Sequence, residues 1–298
     1  MKTRRLLALT DLSENSCAGL ALAENLARRF HAQVVVGYVH TQPETLRGLG
    51  GEDGENARRL AQWVRGEDEE HLRNLARRYI DRLHLSAIET VDVQVAREGI
   101  AALIERVRPD LVVMSTHGRT GLKHMLLGSI AEHTIRTAEV PVIVTKGAPF
   151  PGPDEPVRAM VGIDLVDDQH RMALRAASVL GPKDELILTH VVESFYYSPA
   201  AYGSEFALPQ PDVPGLTEAA RAKLEEIDLG EGGPRTSVEI LSGRPGEALL
   251  NFEVGSGIHL TVARTHGRRG FDRMMLGSVS ELLARRCKGA VLIYPKIG

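Results

Sequence analysis

The stretch THGRTGLKHML, residues 116–126, returns in altered form as THGRRGFDRMM, residues 265–275. Each copy runs on into leucine, glycine and serine: Leu127, Gly128 and Ser129 in the first, Leu276, Gly277 and Ser278 in the second. The offset is 149 residues (265 against 116) in a chain of 298, so the polypeptide is an internal duplication and each motif is read twice.

Before the first copy, Leu111, Val112, Val113 and Met114 form an apolar run bounded by Ser115, the pattern of a buried strand. Gly118 and Gly121 then mark a turn-forming stretch. Gly128-Ser129 opens IAEHTIRTA, whose apolar spacing predicts a helix ending near Ala138. Glu132 stands three residues after Ser129, the spacing of a capping box. Strand, glycine loop and helix start in that order can hold an anion. First-turn amides have no carbonyl partner, the helix dipole is positive there, and glycine lets the backbone close on a phosphate. Taken singly, each glycine is a turn or helix-start residue; recurrence of the whole block favours a ligand loop.

Length and composition fit two domains, each large enough for its own core. The expected division is 1–147, a linker at 148–156, and 157–298; residues 147–156, GAPFPGPDEP, carry four prolines in ten residues. A formal charge of -3 gives no electrostatic footprint for nucleic acid. No apolar stretch is long enough to span a bilayer, and the start, MKTRRLLALTDLSE, lacks a signal-peptide pattern, so a cytoplasmic protein is expected. Cys17 and Cys287 cannot build a disulfide framework and read as small buried hydrophobes.

Strands and helices alternate through both halves. In the first, strands are expected at 5–10, 33–39, 86–95, 111–115 and 141–145, and in the second at 157–163, 185–191, 236–241, 258–263 and 290–294. Such a βαβα series predicts a parallel sheet covered on both faces. Apolar edges at 140–145 and 290–294 are candidates for contact between the halves, because strand edges need covering. Residues 193–215, with Phe195, Tyr196, Tyr197, Tyr202 and Phe206 among prolines, read either as a lid or docking surface or as a loop packed on its own domain.

These residues resemble a tandem universal stress protein, two such domains in one chain, and the resemblance covers essentially the whole length. Nucleotide-binding members carry Gly, two residues, Gly, nine residues, Gly, then Ser or Thr. That register falls on Ser115, Gly118, Gly128 and Ser129 in the first half and on Arg264, Gly267, Gly277 and Ser278 in the second. The resemblance implies an α/β fold of two tandem open five-stranded parallel-sheet domains with helices on both faces, similar to adenine-nucleotide alpha hydrolases. It implies that acidic residues ending strand one, Asp11 and Asp164, lie near adenine and ribose, and that Val39 and Val191, ending strand two, lie by the base. It further implies that His117 and Arg119 belong to the phosphate loop, and Ile130 to the amides that meet the terminal phosphates. The residues alone agree in part: Asp11, Asp164, Val39 and Val191 stand at the expected carboxyl ends of neighbouring parallel strands, where open α/β sheets bind ligands. Each aspartate can also be an N-cap for the next helix, and the two roles are compatible.

Two departures stand out. The first motif glycine is Ser115 in one half and Arg264 in the other; that arginine either pairs with phosphate or fills the pocket. Gly243, after strand three of the second half, faces Arg97 when LSGRPGEALL and VAREGIAALI are laid together without a gap.

The resemblance therefore implies an ATP-binding stress-response regulator or sensor, with Mg2+ as a bridge between phosphates and water. A nucleotide-free interaction scaffold and a weak ATP hydrolase are the alternatives. Efficient catalysis is not expected, since the chain has no GxxxxGK[ST] loop, no kinase catalytic set and no general base aimed at a γ-phosphate; GxGxxG is absent after strand one. An intramolecular pseudo-dimer, a further homodimer through outer faces and an unidentified protein partner complete the expectation.

Overall fold

The computed structural model describes residues 4–41, 51–116, 127–165, 169–193, 213–265 and 277–295. Its strands in the first half are β1 (Arg5–Thr10), β2 (Gln33–Thr41), β3 (Leu85–Val93), β4 (Leu111–Ser115) and β5 (Val142–Thr145). Those of the second are β6 (Arg158–Gly162), β7 (Glu185–Val192), β8 (Arg235–Ser242), β9 (Leu260–Arg264) and β10 (Ala290–Tyr294). The helices are α1 (Cys17–Phe30), α2 (Gly51–Tyr79), α3 (Ala96–Val107), α4 (Ser129–Thr137), α5 (Gln169–Ala177), α6 (Val213–Glu225), α7 (Pro245–Ser256) and α8 (Ser278–Arg286).

Alternation of side chains along each strand builds two apolar layers. Leu6 and Ala8 point to the face covered by α1, α2, α5 and α6, while Leu7 and Leu9 point to the face covered by α3, α4, α7 and α8. The inner strands are apolar on both faces because helices cover both, while the edge strands β3 and β8 carry polar, partly exposed residues.

The expectation of two separate five-stranded sheets is corrected. All ten strands form one sheet in the order β3-β2-β1-β4-β5-β10-β9-β6-β7-β8. Pairing is parallel within each half and antiparallel where β5 meets β10, with Val142, Ile143 and Val144 opposite Ile293, Leu292 and Val291. The physical reason is the edge: an apolar end strand leaves a row of backbone donors and acceptors open, and pairing two such edges satisfies both. Both apolar layers consequently run through both halves.

Arg29 of α1 pins the connection between the halves. Its Nη1 lies 2.9 Å from each carboxylate oxygen of Asp184, and its Nη2 donates to the carbonyls of Gly152 and Glu155 at 3.0 and 2.6 Å. Asp184, fully buried, also accepts from the amides of Val157 and Gly181, both at 2.7 Å.

Candidate functional site

The chain leaves β1 toward β2 and β3 on one side and later returns to lay β4 and β5 on the other. Ligands of open α/β sheets bind at that switch, beyond the carboxyl ends of the strands. Here the β1–β4 ladder stops at Ala8 opposite Val113, although β1 continues to Thr10 and β4 to Ser115. The two strands are not paired over those last residues, which is where the crevice of an open α/β sheet lies. The second half repeats this: the β6–β9 ladder stops at Val161 opposite Val262, while β9 runs on to Arg264.

One wall of the first crevice is the turn from β1 into α1. Asp11 Oδ1 accepts from the amide of Ser13 at 3.1 Å and from its hydroxyl at 2.6 Å, so the carboxylate is held at the strand end. It is not the cap of the next helix. Ser13 takes that place, its Oγ accepting from the amide of Ser16 at the start of a short 3-10 turn, Glu14–Ser16. Thr10 Oγ1 accepts from the amide of Leu12 at 3.0 Å and lies 2.8 Å from Ser16 Oγ. Leu12 itself takes a left-handed φ of 67°, unusual for a leucine, and these bonds hold it there. Thr10, Ser13 and Ser16 are not among the expected site residues; the signal that could have found them is the hydroxyl spacing around Asp11 in TDLSENS.

The opposite wall is the end of β4 and the start of α4. The amide of Gly128 donates to the carbonyl of Thr116 at 2.9 Å, and a Cβ on Gly128 would stand 2.9 Å from that same oxygen, so only glycine fits. Gly128 is the N-cap of α4 with φ -60° and ψ 142°, and no side chain caps the helix. The expected capping box is corrected: Ser129 is the first helical residue, and Glu132 instead contacts Arg136 at 3.5 Å and Arg285 of α8 at 3.6 Å. The amides of Ser129 and Ile130 therefore begin a helix whose start is glycine alone, which suits an anion. Ser115 sits behind them, buried, its hydroxyl donating to the carbonyl of Thr145 at 3.3 Å. Gly19 of α1 lets that helix rest on this strand end, since a Cβ there would meet Ser115 N at 3.0 Å. Val39, expected to end strand two, lies two residues before the end of β2, which pairs with β3 as far as Thr41. It packs against α3, where a Cβ on Gly99 would lie 2.4 Å from Val39 Cγ1.

The second crevice keeps the helix start almost unchanged. Gly277 caps α8 with φ -61° and ψ 141°, and its amide donates to the carbonyl of Thr265. Ser278 is the first helical residue, and the hydroxyl of Ser280 donates to the carbonyl of Arg264. Asp164 follows β6, half-buried, and Val191 lies in β7 beside Leu241 of β8. His190 Nδ1 donates to the carbonyl of Ile163 at 2.8 Å and ties the ends of β6 and β7 together. Arg264 is half-buried at the tip of β9.

Gly243 has a positive φ of 123°, and its amide donates to the carbonyl of Val192 at 3.1 Å. The pairing of Gly243 with Arg97 is corrected. Helices α3 and α7 keep the 149-residue offset (96 against 245), which sets Gly243 opposite Gln94 and Arg97 opposite Gly246. Arg97 lies inside the first turn of α3, exposed, rather than in the turn after β3. His117, Gly118, Arg119 and Gly267 lie outside the described residues, as do Phe195, Tyr196, Tyr197, Tyr202 and Phe206.

Beside the sites, His133 of α4 is held below the ordinary histidine range, first by burial and then by the Arg97 and Arg136 guanidiniums. Cys287 is buried and its thiol is pushed up to about 12, chiefly by burial, while Cys17 is half-buried. Among the described residues no group of three or more His, Cys, Asp and Glu side chains could hold a metal ion. No helix among them is long and apolar enough to cross a membrane.

A model of the universal stress protein family matches residues 2–146 and 157–295. A universal stress protein of Methanocaldococcus jannaschii is 32% identical over 146 residues, covering 48% of this chain and 82% of the relative. One from Mycolicibacterium smegmatis is 26% identical over 216 residues, 68% of each chain. Among solved structures, a universal stress protein from Archaeoglobus fulgidus superposes with a TM-score of 0.57 at 22% identity, covering 98% of this chain and 96% of its own. A Pseudomonas aeruginosa protein described as a putative universal stress protein gives 0.62 at 15% identity, covering 98% and 93%. At those identities the structural likeness concerns the fold.

Proposed function

The chain belongs to the universal stress protein family, and from that membership we propose that it binds ATP in the crevice between β1 and β4, and a second nucleotide between β6 and β9. The observation that carries this reading is the helix start. At the mouth of each crevice a glycine N-cap, with backbone angles matching within a degree, presents first-turn amides with no capping side chain.

Residue roles follow from position. The carboxylate of Asp11 accepts from ribose hydroxyls, Val39 offers an apolar surface to the base, and the amides of Ser129 and Ile130 with the Ser129 hydroxyl meet the terminal phosphates. The Gly128 amide, expected among them, is instead taken by the Thr116 carbonyl and fixes the helix start. His117, Gly118 and Arg119 extend the phosphate loop on the strength of the sequence motif. Asp164, Val191, Gly277 and Ser278 take the corresponding roles in the second half, with Arg264 pairing to phosphate and Gly267 and Gly243 in the loops. Mg2+ reaches the chain as Mg-ATP, held by phosphate and water. Occupancy then biases a surface read by a protein partner in the cytoplasm, as a stress-response regulator. We assign no catalytic residue, and expect slow turnover at most.

The test is to release whatever co-purifies with the protein, identify it by mass spectrometry, and titrate the emptied protein with Mg-ATP. One or two ATP per chain supports the reading. Protein that arrives empty and takes up no added Mg-ATP removes it and leaves an interaction scaffold.

A further inference from the structure

Helix α2 carries a surface that the nucleotide reading does not use. From residue 58 to 71 no side chain of it is buried, although Leu72, Leu75 and Ala76 below pack into the core. That stretch is held to the domain by polar contacts: Asp68 accepts from the hydroxyl of Tyr38 at 2.8 Å, and Arg65 lies 2.9 Å from Asp92. On its outer side stands Trp63, the single tryptophan of the chain, 64% exposed, with Leu60, 49% exposed, one turn before it. Burying exposed apolar surface of this kind is favourable, and nothing among the described residues covers it.

At about 100° per residue, Arg59, Trp63, Gly66 and Glu70 fall on one line along the helix, within roughly 60° of each other and opposite the side bearing Arg65 and Asp68. A mid-helix glycine weakens a helix, yet a Cβ on Gly66 would meet nothing within 4 Å in its own chain. The line reads arginine, tryptophan, glycine, glutamate, and it is self-complementary when turned end for end. Pairing 59 with 70 and 63 with 66 gives the same midpoint, between Val64 and Arg65. Two copies of α2 related by a two-fold axis through that point would set each Trp63 over the bare backbone at Gly66 of the other, and each Arg59 against the other's Glu70. A parallel pair would instead set Arg59 on Arg59 and Glu70 on Glu70.

We propose that the outer face of α2 is a self-association surface, its occupant a second copy of this chain docked antiparallel through Arg59, Trp63, Gly66 and Glu70. In the single chain Arg59 contacts Glu55 at 2.6 Å, a pair with both side chains largely exposed that is weak and exchangeable. The contact spans about three helical turns, some 16 Å, at the small end of stable interfaces, so the dimer dissociates on dilution.

Sedimentation equilibrium of the full chain over a concentration series, with tryptophan emission recorded alongside, tests the proposal. Wild type forms a dimer as concentration rises, and the emission shifts to the blue. R59E and E70R each weaken association about tenfold or more, since each puts like charges together twice. An equimolar mixture of R59E with E70R restores it, because both pairs are then complementary. Far-ultraviolet circular dichroism confirms that each variant is folded; recovery in the mixture cannot come from a folding defect. A wild type monomeric up to its solubility limit overturns the proposal. So does a dimer that both charge reversals leave intact, or one whose formation leaves the emission unchanged.

Discussion

A Cβ at Gly128 has nowhere to go, because the carbonyl of Thr116 stands 2.9 Å away and is itself the partner of the Gly128 amide. Gly128→Val therefore moves the start of α4, and ATP affinity at the first site should fall at least about tenfold in a calorimetric titration. Aspartate and serine near β1 show how far single residues are legible. Asp11 was marked out by the family resemblance, but its turn with Ser13 depends on the left-handed Leu12, which no periodicity encodes. The Ser129–Glu132 spacing suggested a cap that the structure does not form, because Gly128 already occupies the N-cap and Glu132 turns toward Arg285. A pH effect also belongs at this scale. His259 Nδ1 accepts from the amide of Arg158 at 3.0 Å, and burial, then Arg158, hold its pKa below the ordinary 6.5. The unfolded chain takes the proton first, so this contribution to stability is present above about pH 6.5 and declines as pH falls through 6.5 toward the folded pKa. Asp110 does the same work in the first half, accepting from Arg4 and Arg5 amides at 2.7 and 2.9 Å. His259→Asp should flatten the acid limb of a urea-unfolding midpoint measured from about pH 7.5 to about pH 5, a span that brackets the ordinary histidine pKa of about 6.5; His40 and His133, shifted in the same direction, leave a residual slope.

At the scale of elements, the repeat has two registers. Helices α3 and α7, strands β4 and β9, and helices α4 and α8 keep the 149-residue offset of the motif (111 against 260, 129 against 278). Strands β1 and β6 are offset by 153 (5 against 158), and β2 and β7 by 152 (33 against 185). The difference is absorbed between the second and third strands of each half; setting Gly243 against Arg97 uses an offset of 146 (243 against 97), three short of the 149 that α3 and α7 keep. Alternation and helical spacing located the elements themselves, since those patterns follow from burial on both faces of the sheet. Packing of α1 on β4 was not legible, because the lone Gly19 in an Ala- and Leu-rich helix looks like a weak position until its neighbour is known. Gly19→Val would press Cβ against Ser115 N at 3.0 Å and Met114 C at 3.1 Å, both backbone atoms. We expect a loss of about 1–3 kcal/mol in chemical unfolding together with weaker ATP binding, since α1 and the end of β4 both wall the first crevice.

Across the whole molecule, one sheet and two continuous apolar layers join what the duplication made. The apolar edges at β5 and β10 were visible in the sequence, but their antiparallel pairing into one ten-stranded sheet is a long-range choice that local pattern does not contain. Unfolding should consequently be a single cooperative transition, with near-ultraviolet circular dichroism, to which buried Tyr38 of the first half and Tyr294 of the second contribute, coinciding with far-ultraviolet circular dichroism of the whole chain. Arg29→Met removes the guanidinium that faces buried Asp184 and the carbonyls of Gly152 and Glu155. The cost should be about 3 kcal/mol, the low end for a broken buried pair because Asp184 keeps two backbone amides, and urea titration reads it. The central claim is that both chain-switch crevices are adenine-nucleotide sites. Native mass spectrometry of the full chain in Mg-ATP, comparing wild type with Gly128→Val, Gly277→Val and the double variant, tests it most directly. Two nucleotides on wild type, one on each single variant and none on the double variant is the predicted result; an apo wild type, or nucleotide retained by the double variant, would contradict it.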